Sequence, residues 1–257
     1  MKKYFSIYQE YFKTSLSELI SFRLNFSLQV LMNLCFMGTF FFTANFIFNH
    51  IESIGFWNKT EFFFFLSFAF AVDQIHYLIF SHNFWGFSED VRLGLFDFHL
   101  LKPVSSLMIV FTRYVAIPAL VTVCFSLFLI IYFGSKLSLP IWSWLALPFG
   151  LLLSLFFLVG LEIFISMFNF VSVEGTGINQ VRLQIQHFCR WPDFIYKNPI
   201  RLFLLPFLLI TSCPVRFLLN NTYWSWFLIM ILGTLVLWVG LFIFWFQSIR
   251  FYESPSS

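Results

Sequence analysis

Long apolar stretches separated by short polar segments dominate the pattern of this sequence. A helix needs about 20 mostly apolar residues to cross the hydrocarbon core of a bilayer. Six stretches approach or exceed that length, at about 24–48, 61–82, 111–133, 141–171, 203–219 and 223–246. The pattern therefore predicts an all-α integral membrane protein whose transmembrane domain, 24–246, has six helices.

Proline interrupts two of these predicted spans. Pro148 lies with Gly150 in the long fourth stretch, and Pro206 and Pro214 lie in the short fifth. Because proline lacks the N–H that the helical hydrogen-bond pattern uses, we expect a tilt or kink in the fourth span and a broken end in the fifth.

The segment before the first span, 1–23, has the period of an amphipathic helix. At 100° per residue, the apolar side chains fall on one face and the polar side chains on the other: Tyr4, Phe5, Tyr8, Phe12, Leu16 and Leu19 against Ser6, Glu10, Lys13 and Ser17. Aromatic residues beside lysine favour a helix in the plane of the membrane interface. A soluble helix packed on the inner loops shares the pattern and stays the alternative.

The composition agrees with a lipid environment. The chain of 257 residues is 60% hydrophobic and only 11% charged, whereas soluble domains are about 25% charged. A net charge of +3 is too small for a nucleic-acid footprint, so no nucleic-acid partner is predicted. The four cysteines lack the close spacing of a metal or redox motif and are interpreted as packing residues.

The positions of the basic residues predict the orientation. Six spans place both termini on one side, and the cytoplasmic side of a membrane protein is enriched in Lys and Arg. With cytoplasmic termini, twelve of the 15 Lys and Arg lie inside and three, Lys59, Lys136 and Arg216, lie outside. We therefore predict a multi-pass protein of the inner (plasma) membrane with cytoplasmic loops 83–110 and 172–202 and a cytoplasmic tail, 247–257.

Catalytic and metal-binding motifs are missing from the sequence. A nucleotide-binding loop needs GxxxxGK[ST], and no Gly-Lys pair occurs. The chain also lacks HExxH and GxSxG, and its five histidines lack metal-ligand spacing. We predict that the chain is not an enzyme and holds neither a metal nor a cofactor.

Three ionisable residues lie inside the predicted spans. Asp73 and His76 are three residues apart in the second span, hence on one helical face, and Glu162 lies in the fourth. Such residues are costly in lipid and are candidates for function. They suit either a proton relay or cation site, or pairing with each other or another helix, which is the more frequent role.

The first inner loop carries the densest cluster of charges between two spans. Ser88 suits the N-cap of a short helix, with Glu89 and Asp90 in its first turn and Lys102-Pro103 at its far limit. This pattern indicates an amphipathic, partner-binding element. A loop lying on the membrane surface would look the same.

At these residues the sequence resembles a known family. Residues 88–105, SEDVRLGLFDFHLLKPVS, resemble the signature D-[IV]-R-x-G-x-[LF]-D-x-x-L-L-[RK]-P-[VI]-[SN] of ABC-2-type permeases, the membrane subunits of a class of ABC exporters. A second stretch is similar to the family's pattern: Arg190-Trp191-Pro192, Ile195-Tyr196, Pro199, Arg201, Pro206-Phe207 and Pro214.

The resemblance implies an ABC-2 exporter arrangement: an interfacial connecting helix, six spans, and a helix in the first inner loop that docks on the ATP-binding subunit. It implies two ATP-binding subunits, which would bind ATP and Mg²⁺, and a second permease chain, identical or homologous. Residues implied to lie on or beside the coupling element are Glu89, Asp90, Arg92, Gly94, Asp97, Lys102 and Pro103.

Two other classes of function stay open at this point. An intramembrane lipid-modifying enzyme would use Asp73, His76 or Glu162, and a non-transporting membrane scaffold would use the inner loops only as anchors. For an exporter, the apolar, aromatic spans suit a hydrophobic or amphipathic cargo better than a small ion. Drug, lipid-linked sugar, lipid and peptide are all compatible with them.

Overall fold

The structure is a computed structural model that describes residues 2–21, 23–172 and 175–252. Most of these residues are helical, and a small antiparallel hairpin pairs β1 (Ser53–Ile54) with β2 (Trp57–Asn58). The α-helices are α1 (Lys2–Ser21), α2 (Arg23–Phe48), α3 (Lys59–His76), α4 (His82–Arg92), α5 (Phe96–Leu100), α6 (Ser106–Thr112), α7 (Ala119–Lys136), α8 (Ile141–Ser166), α9 (Gly175–Cys189), α10 (Ile200–Leu219) and α11 (Trp224–Ser248). Short 3₁₀ turns cover Met167–Phe170, Asp193–Ile195, Asn221–Tyr223 and Ile249–Phe251.

Five helical segments of the described chain are long and apolar enough to cross a membrane. They are Arg23–Phe48, Lys59–Arg92, Ala119–Lys136, Ile141–Phe170 and Asn221–Phe251. A further apolar segment, Leu204–Leu219 in α10, is shorter. The prediction of a helical, multi-pass membrane protein is confirmed, whereas the count of six spans stays a prediction.

The second span is longer than the apolar pattern indicates. The helix does not end at residue 82: α3 continues through a π-helical segment, Tyr77–Ser81, into α4, which ends at Arg92. Phe84, Phe87 and Val91 are buried, and their spacing extends one apolar helical face through the predicted loop. Ser88 is therefore inside a helix, and the prediction that it caps one is wrong.

The third span begins later than predicted. Residues 106–112 form the separate short helix α6, and α7 starts only at Ala119. Pro118 precedes α7 and lacks a backbone N–H to donate, a position proline tolerates at a helix start. The apolar residues Leu107, Val110 and Phe111 pack in a buried cluster with Phe84 and Phe87, so their hydrophobicity reflects protein packing.

Both prolines of the fifth predicted span lie inside a continuous helix. α10 runs from Ile200 to Leu219 and includes Pro206 and Pro214, so the expected broken end is absent. Pro214 leaves the Ile210 carbonyl without its helical N–H partner. The Ser154 hydroxyl of α8 donates to that carbonyl at 2.7 Å, which compensates for the missing bond.

The helix α3 lies at the centre of the bundle. Its aromatic run Phe62–Phe65 is buried and packs with residues of α2, α7, α8 and α10. Its N-terminus carries a capping box in which Asn58 and Glu61 exchange side-chain to backbone hydrogen bonds of 3.0 and 2.8 Å. By contrast, α2 and α11 bury only 11% and 22% of their apolar windows, which leaves their outer faces for lipid or another chain.

Much of the segment predicted as the second inner loop, 172–202, folds into the bundle. Its helix α9 buries the polar residues Asn179, Arg182 and Gln186. Beyond α9, Phe194 packs on Gly55, Phe56 and Trp57 of the β1–β2 hairpin. Apolar content alone misses α9 because its buried face is polar.

Helix α1 covers the predicted amphipathic segment from Lys2 to Ser21. Phe12 and Leu16 are exposed on it, as expected for a helix at an interface. Tyr4, Phe5 and Leu19 lie outside the residues whose side chains are described. The Ser15 hydroxyl accepts a 3.4 Å hydrogen bond from the Val115 amide, which places α1 beside the turn that precedes α7.

Candidate functional site

The predicted partner-binding segment forms one end of the bundle, which we call the α5 end. Helix α4 stops at Arg92, and Gly94 follows it with a backbone φ of +74°. That left-handed conformation strongly favours glycine and is typical of helix C-termini. The turn therefore explains why position 94 is glycine. Gly94 is also buried.

Asp90 joins three elements at the α5 end. Its Oδ2 lies 3.0 Å from Nε2 of His99 in α5 and 3.2 Å from Nη1 of Arg113, which follows α6. Asp90 and His99 are both buried. These contacts, which we call the Asp90 latch, fasten α5 and the end of α6 to α4, so the Asp90 carboxylate faces the interior.

Other residues of the segment face outwards. Glu89, Arg92, Lys102 and Pro103 are exposed, and Asp97 is partly exposed in the first turn of α5. Large apolar side chains stand beside them, above all Leu101, which is 81% exposed, and Phe98, which is 63% exposed. An exposed apolar cluster bordered by polar residues is typical of a surface that binds a protein or a membrane.

A cleft of about 950 Å³ lies next to this surface. It runs between the α1–α2 junction, α4, the turn 113–118 and the start of α9, with Asn25, Gln29, Trp85, Arg113 and Tyr114 among its lining residues. The Arg113 guanidinium stacks over the Tyr114 ring at 4.6 Å. Amphipathic and aromatic side chains thus line a space that is open to the outside.

The three ionisable residues predicted inside spans all have partners in the bundle. Nη2 of Arg190, just after α9, lies 3.1 and 3.0 Å from the two carboxylate oxygens of Asp73. Nη1 of Arg190 donates to Nδ1 of His187 at 2.6 Å. Burial and the charge of Arg190 lower the pKa of His187, and Asp73 partly offsets this; the shift favours the neutral ring, which can accept that bond.

A second buried cluster contains His76 and Glu162. Nε2 of His76 lies 2.6 Å from Oε2 of Glu162, and Nη1 of Arg182 lies 3.4 Å from Oε1 of the same carboxylate. Nε2 of Gln186 lies 3.0 Å from Nδ1 of His76. Glu162 and Arg182 have no exposed side-chain surface. The negative charge is therefore neutralised inside the bundle, as a buried carboxylate requires.

One comparison with known proteins identifies the chain at the level of a family. Residues 34–256 match the profile of the ABC-2 family transporter proteins, which is most of the sequence. The chain belongs to this family. No curated protein and no solved structure shows significant similarity to it.

Membership agrees with the resemblance of residues 88–105 and with the bundle of apolar helices. Proteins of the ABC-2 family are membrane components of ABC transporters and are typically not catalytic, and the family implies ATP-binding partner subunits in general terms. Whether Glu89, Asp90, Arg92, Gly94, Asp97, Lys102 and Pro103 contact such a subunit in this ABC-2 protein stays a prediction.

Sequence reasoning missed the partners of the intramembrane residues. Arg182, Gln186 and Arg190 fall in a segment predicted as a loop, where nothing indicates that they contact the spans. Asn179, Arg182, Gln186 and Arg190 follow one another at intervals of three or four residues, which is the spacing of one helical face. That polar stripe was the available signal for α9 in this ABC-2 protein.

Proposed function

We propose that the chain is the transmembrane permease subunit of an ATP-binding cassette exporter. Two permease chains, identical or homologous, form the translocation pathway, and two separate ATP-binding subunits bind ATP and Mg²⁺. ATP-driven closure of those subunits pushes on the α5 end and changes the arrangement of the spans. Membership in the ABC-2 family supports this proposal, and the absence of a nucleotide-binding loop from the chain agrees with it.

The observation that carries the coupling role is the exposed surface of the α5 end. Arg92, Leu101 and Lys102 are exposed there, while the Asp90 latch braces the same segment from inside. A contact that transmits force needs both an outer face that a partner can bind and an inner attachment to the rest of the bundle. We therefore place the ATP-binding subunit against the outward-facing residues of this segment, with Asp90 and Gly94 supporting that surface from within. The outward-facing residues are Glu89, Arg92, Asp97, Phe98, Leu101, Lys102 and Pro103.

We infer six spans, with α10 as the fifth. Its apolar length is short, but Ser154 and Ser143 of α8 donate hydrogen bonds to its Ile210 and Leu218 carbonyls. These bonds attach α10 along the spanning helix α8. Six spans then return the chain to the side on which it began.

The termini and the α5 end are proposed to be cytoplasmic. Of the twelve Lys and Arg predicted inside, Arg182 and Arg190 are buried in ion pairs, and of the three predicted outside, Arg216 is buried. Leaving these out gives 12 − 2 = 10 against 3 − 1 = 2. The imbalance that favours cytoplasmic termini therefore persists.

The geometry favours transport over an intramembrane enzyme. Asp73, His76 and Glu162 are held by Arg190, Gln186 and Arg182, so their charges and lone pairs serve helix packing. A scaffold without transport activity has no specific observation in its favour. The cargo is proposed to be hydrophobic or amphipathic, because the spans are apolar and Asp73, His76 and Glu162 inside them are paired.

The proposal is tested by purification in mild detergent with mass spectrometry of the copurifying proteins. The wild-type chain is expected to bring down an ATP-binding cassette subunit. A double variant, Arg92→Glu with Lys102→Glu, is expected to lose at least about tenfold of that subunit, because two charges of the docking surface are reversed. The control is Lys136→Glu, an exposed basic residue at the end of α7, which should leave recovery unchanged.

Each outcome bears on a separate part of the proposal. Absence of any ATP-binding subunit from wild-type material would exclude the exporter function. Undiminished recovery with Arg92→Glu and Lys102→Glu would instead show that the α5 end is not the docking surface. Recovery of a second, different permease would establish a heterodimer.

A further inference from the structure

An irregular helical segment lies between the central helix α3 and the docking surface at the α5 end. Tyr77–Ser81 is π-helical and separates α3 from α4. A π turn, which closes its hydrogen bonds between residues five apart, interrupts the regular α-helical pattern and is frequently found at functional sites. Any force that enters through α4 must pass this segment to reach α3 and the core of the bundle.

Helix α9 runs antiparallel to this connection and is attached on both sides of it. On the α3 side, Arg190 pairs with Asp73, and Gln186 lies 3.0 Å from His76. On the α4 side, Arg182 and Asn179 make the contacts. The Arg182 guanidinium lies 4.8 Å from the centre of the Phe84 ring, and Asn179 Nδ2 donates to the Ser88 hydroxyl at 2.9 Å.

The start of α9 is packed too closely against α4 to slide. A Cβ built on Gly175 would lie 2.8 Å from Cβ of Ser88 and 2.6 Å from Oδ1 of Asn169. Only glycine fits this approach. The first turn of α9 is therefore fixed to α4 at the level of Ser88, two turns beyond the π-helical segment.

Glu162 of α8 joins the two sets of contacts. Its carboxylate contacts His76, which precedes the π-helical segment, and Arg182 of α9, which lies beside Phe84 on the other side of that segment. Breaking a fully buried pair of this kind is costly, so the contacts oppose bending of the connection between α3 and α4.

On the opposite side of the π-helical segment, the hydrogen bonds seen among the described residues involve backbone groups and the Asn83 side chain. The Leu78 carbonyl accepts a 2.8 Å hydrogen bond from the Ala116 amide. The Asn83 side chain donates to the carbonyls of Ile79 and Tyr114 at 2.7 and 2.9 Å. The turn 113–118 therefore accommodates the π-helical turn, whereas the ionic contacts lie on the α9 side.

We propose that α9 acts as a splint that positions the docking surface relative to the spans, with Asn179, Arg182, Gln186 and Arg190 as its positioning residues. The splint makes α3, α4 and α9 move as one body when α4 is pushed. Without it, the segment Tyr77–Ser81 flexes and absorbs the movement. The proposal deepens the proposed function and rests on it, because the α5 end is the point at which force enters.

The local stiffness is tested by hydrogen exchange on the permease alone in lipid nanodiscs, so that no partner is needed. The test variant, Asn179→Leu with Gln186→Leu, removes one contact on each side of the π-helical segment. Amides of residues 77–83 are expected to exchange at least about tenfold faster than in the wild type, while amides in α7 and α11 keep their rates. The single variant Gln186→Leu is measured in parallel, with a smaller increase expected, and serves if the double variant does not fold.

The matched control is Ser154→Ala, which removes a buried hydrogen bond between α8 and α10 outside the splint. It should leave exchange at 77–83 unchanged. A merely structural role for α9 predicts something else, because exchange would then rise together in α3, α8 and α10. That pattern, or unchanged exchange at 77–83, overturns the proposal.

A second measurement follows the transmission of force. In the complex with its ATP-binding subunits, addition of ATP and Mg²⁺ is expected to change exchange in the first half of α3 in the wild type but not in the splint variant, although both retain ATP hydrolysis. An equal change of exchange in α3 on addition of ATP, in the wild type and in the splint variant, would overturn the proposal. Failure to recover any complex counts against the exporter proposal, and the nanodisc measurement still decides the stiffness of Tyr77–Ser81.

Discussion

Nη2 of Arg190 lies within hydrogen-bond distance of both carboxylate oxygens of Asp73, a residue 117 positions away in the sequence. The pair joins the central helix α3 to the end of α9, and both side chains are mostly buried. Aromatic rings surround the guanidinium, with the centre of Phe36 at 5.0 Å. The contact is, with that between Gln186 and His76, one of the described side-chain links between the α9 region and α3, and its removal has measurable consequences.

The variant Arg190→Leu is expected to destabilise the protein by about 3–5 kcal/mol, because it leaves the Asp73 carboxylate buried without its counter-ion. Thermal unfolding in detergent measures this loss. The exchanged pair Asp73→Arg with Arg190→Asp should recover part of it. The exposed pair Glu10–Lys13 provides the control, since Lys13→Ala should cost no more than about 1 kcal/mol.

The Glu162–Arg182 pair should show strong coupling. Each single variant, Glu162→Met or Arg182→Met, leaves one buried charge without its partner. Each is expected to lower the free energy of unfolding by about 3–5 kcal/mol. The double variant removes both charges and should be more stable than either single variant. A double-mutant cycle on unfolding midpoints measures the coupling. Additive losses would mean that the two side chains do not depend on each other.

The Asp90 latch should keep α5 packed against α4. In Asp90→Asn, the side chain loses its charge, and the contacts to His99 and Arg113 weaken. Helix α5 is then expected to detach more often, so that chymotrypsin cleaves at the exposed Phe98 several-fold faster. The neighbouring variant Glu89→Gln, at an exposed position, should be cleaved at the wild-type rate. Equal cleavage of the two variants contradicts the latch.

The contact between Gly55 and Phe194 should tolerate no side chain. Gly55 has a φ of +63°, and a Cβ there would lie 2.6 Å from Cδ2 of Phe194. Gly55→Ala is expected to cost at least about 1–2 kcal/mol and to lower the melting temperature by several degrees. At Gly177 in α9 nothing lies within 4 Å of the added atom. Gly177→Ala should therefore leave the melting temperature unchanged or raise it, because alanine favours a helix.

Different parts of the docking region could be predicted to different degrees. The cluster of charges at 88–105 located the α5 end, and Arg92 and Lys102 are exposed there. The sequence could not indicate that Asp90 faces inwards, because that depends on His99 and Arg113. His99 reaches it after the chain has turned at Gly94, and Arg113 reaches it after a second turn between α5 and α6.

The apolar pattern and the motif at 88–105 were sufficient to indicate a membrane environment, the approximate spans and the family resemblance. Apolar runs of membrane length have few alternatives in lipid, because every backbone polar group must be satisfied within the helix. The intervals of Asp73 and His76 likewise fixed their common face.

Which side chains neutralise the buried charges depends on tertiary contacts that the sequence pattern does not show. Asp73, His76 and Glu162 could pair with one another, with another helix or with a ligand, and hydropathy does not distinguish these partners. The polar face of α9 looks like loop sequence because its apolar content is low. It becomes a buried helix only when α3 and α8 bring carboxylates to the level of its arginines, where ion pairing offsets the cost of desolvation.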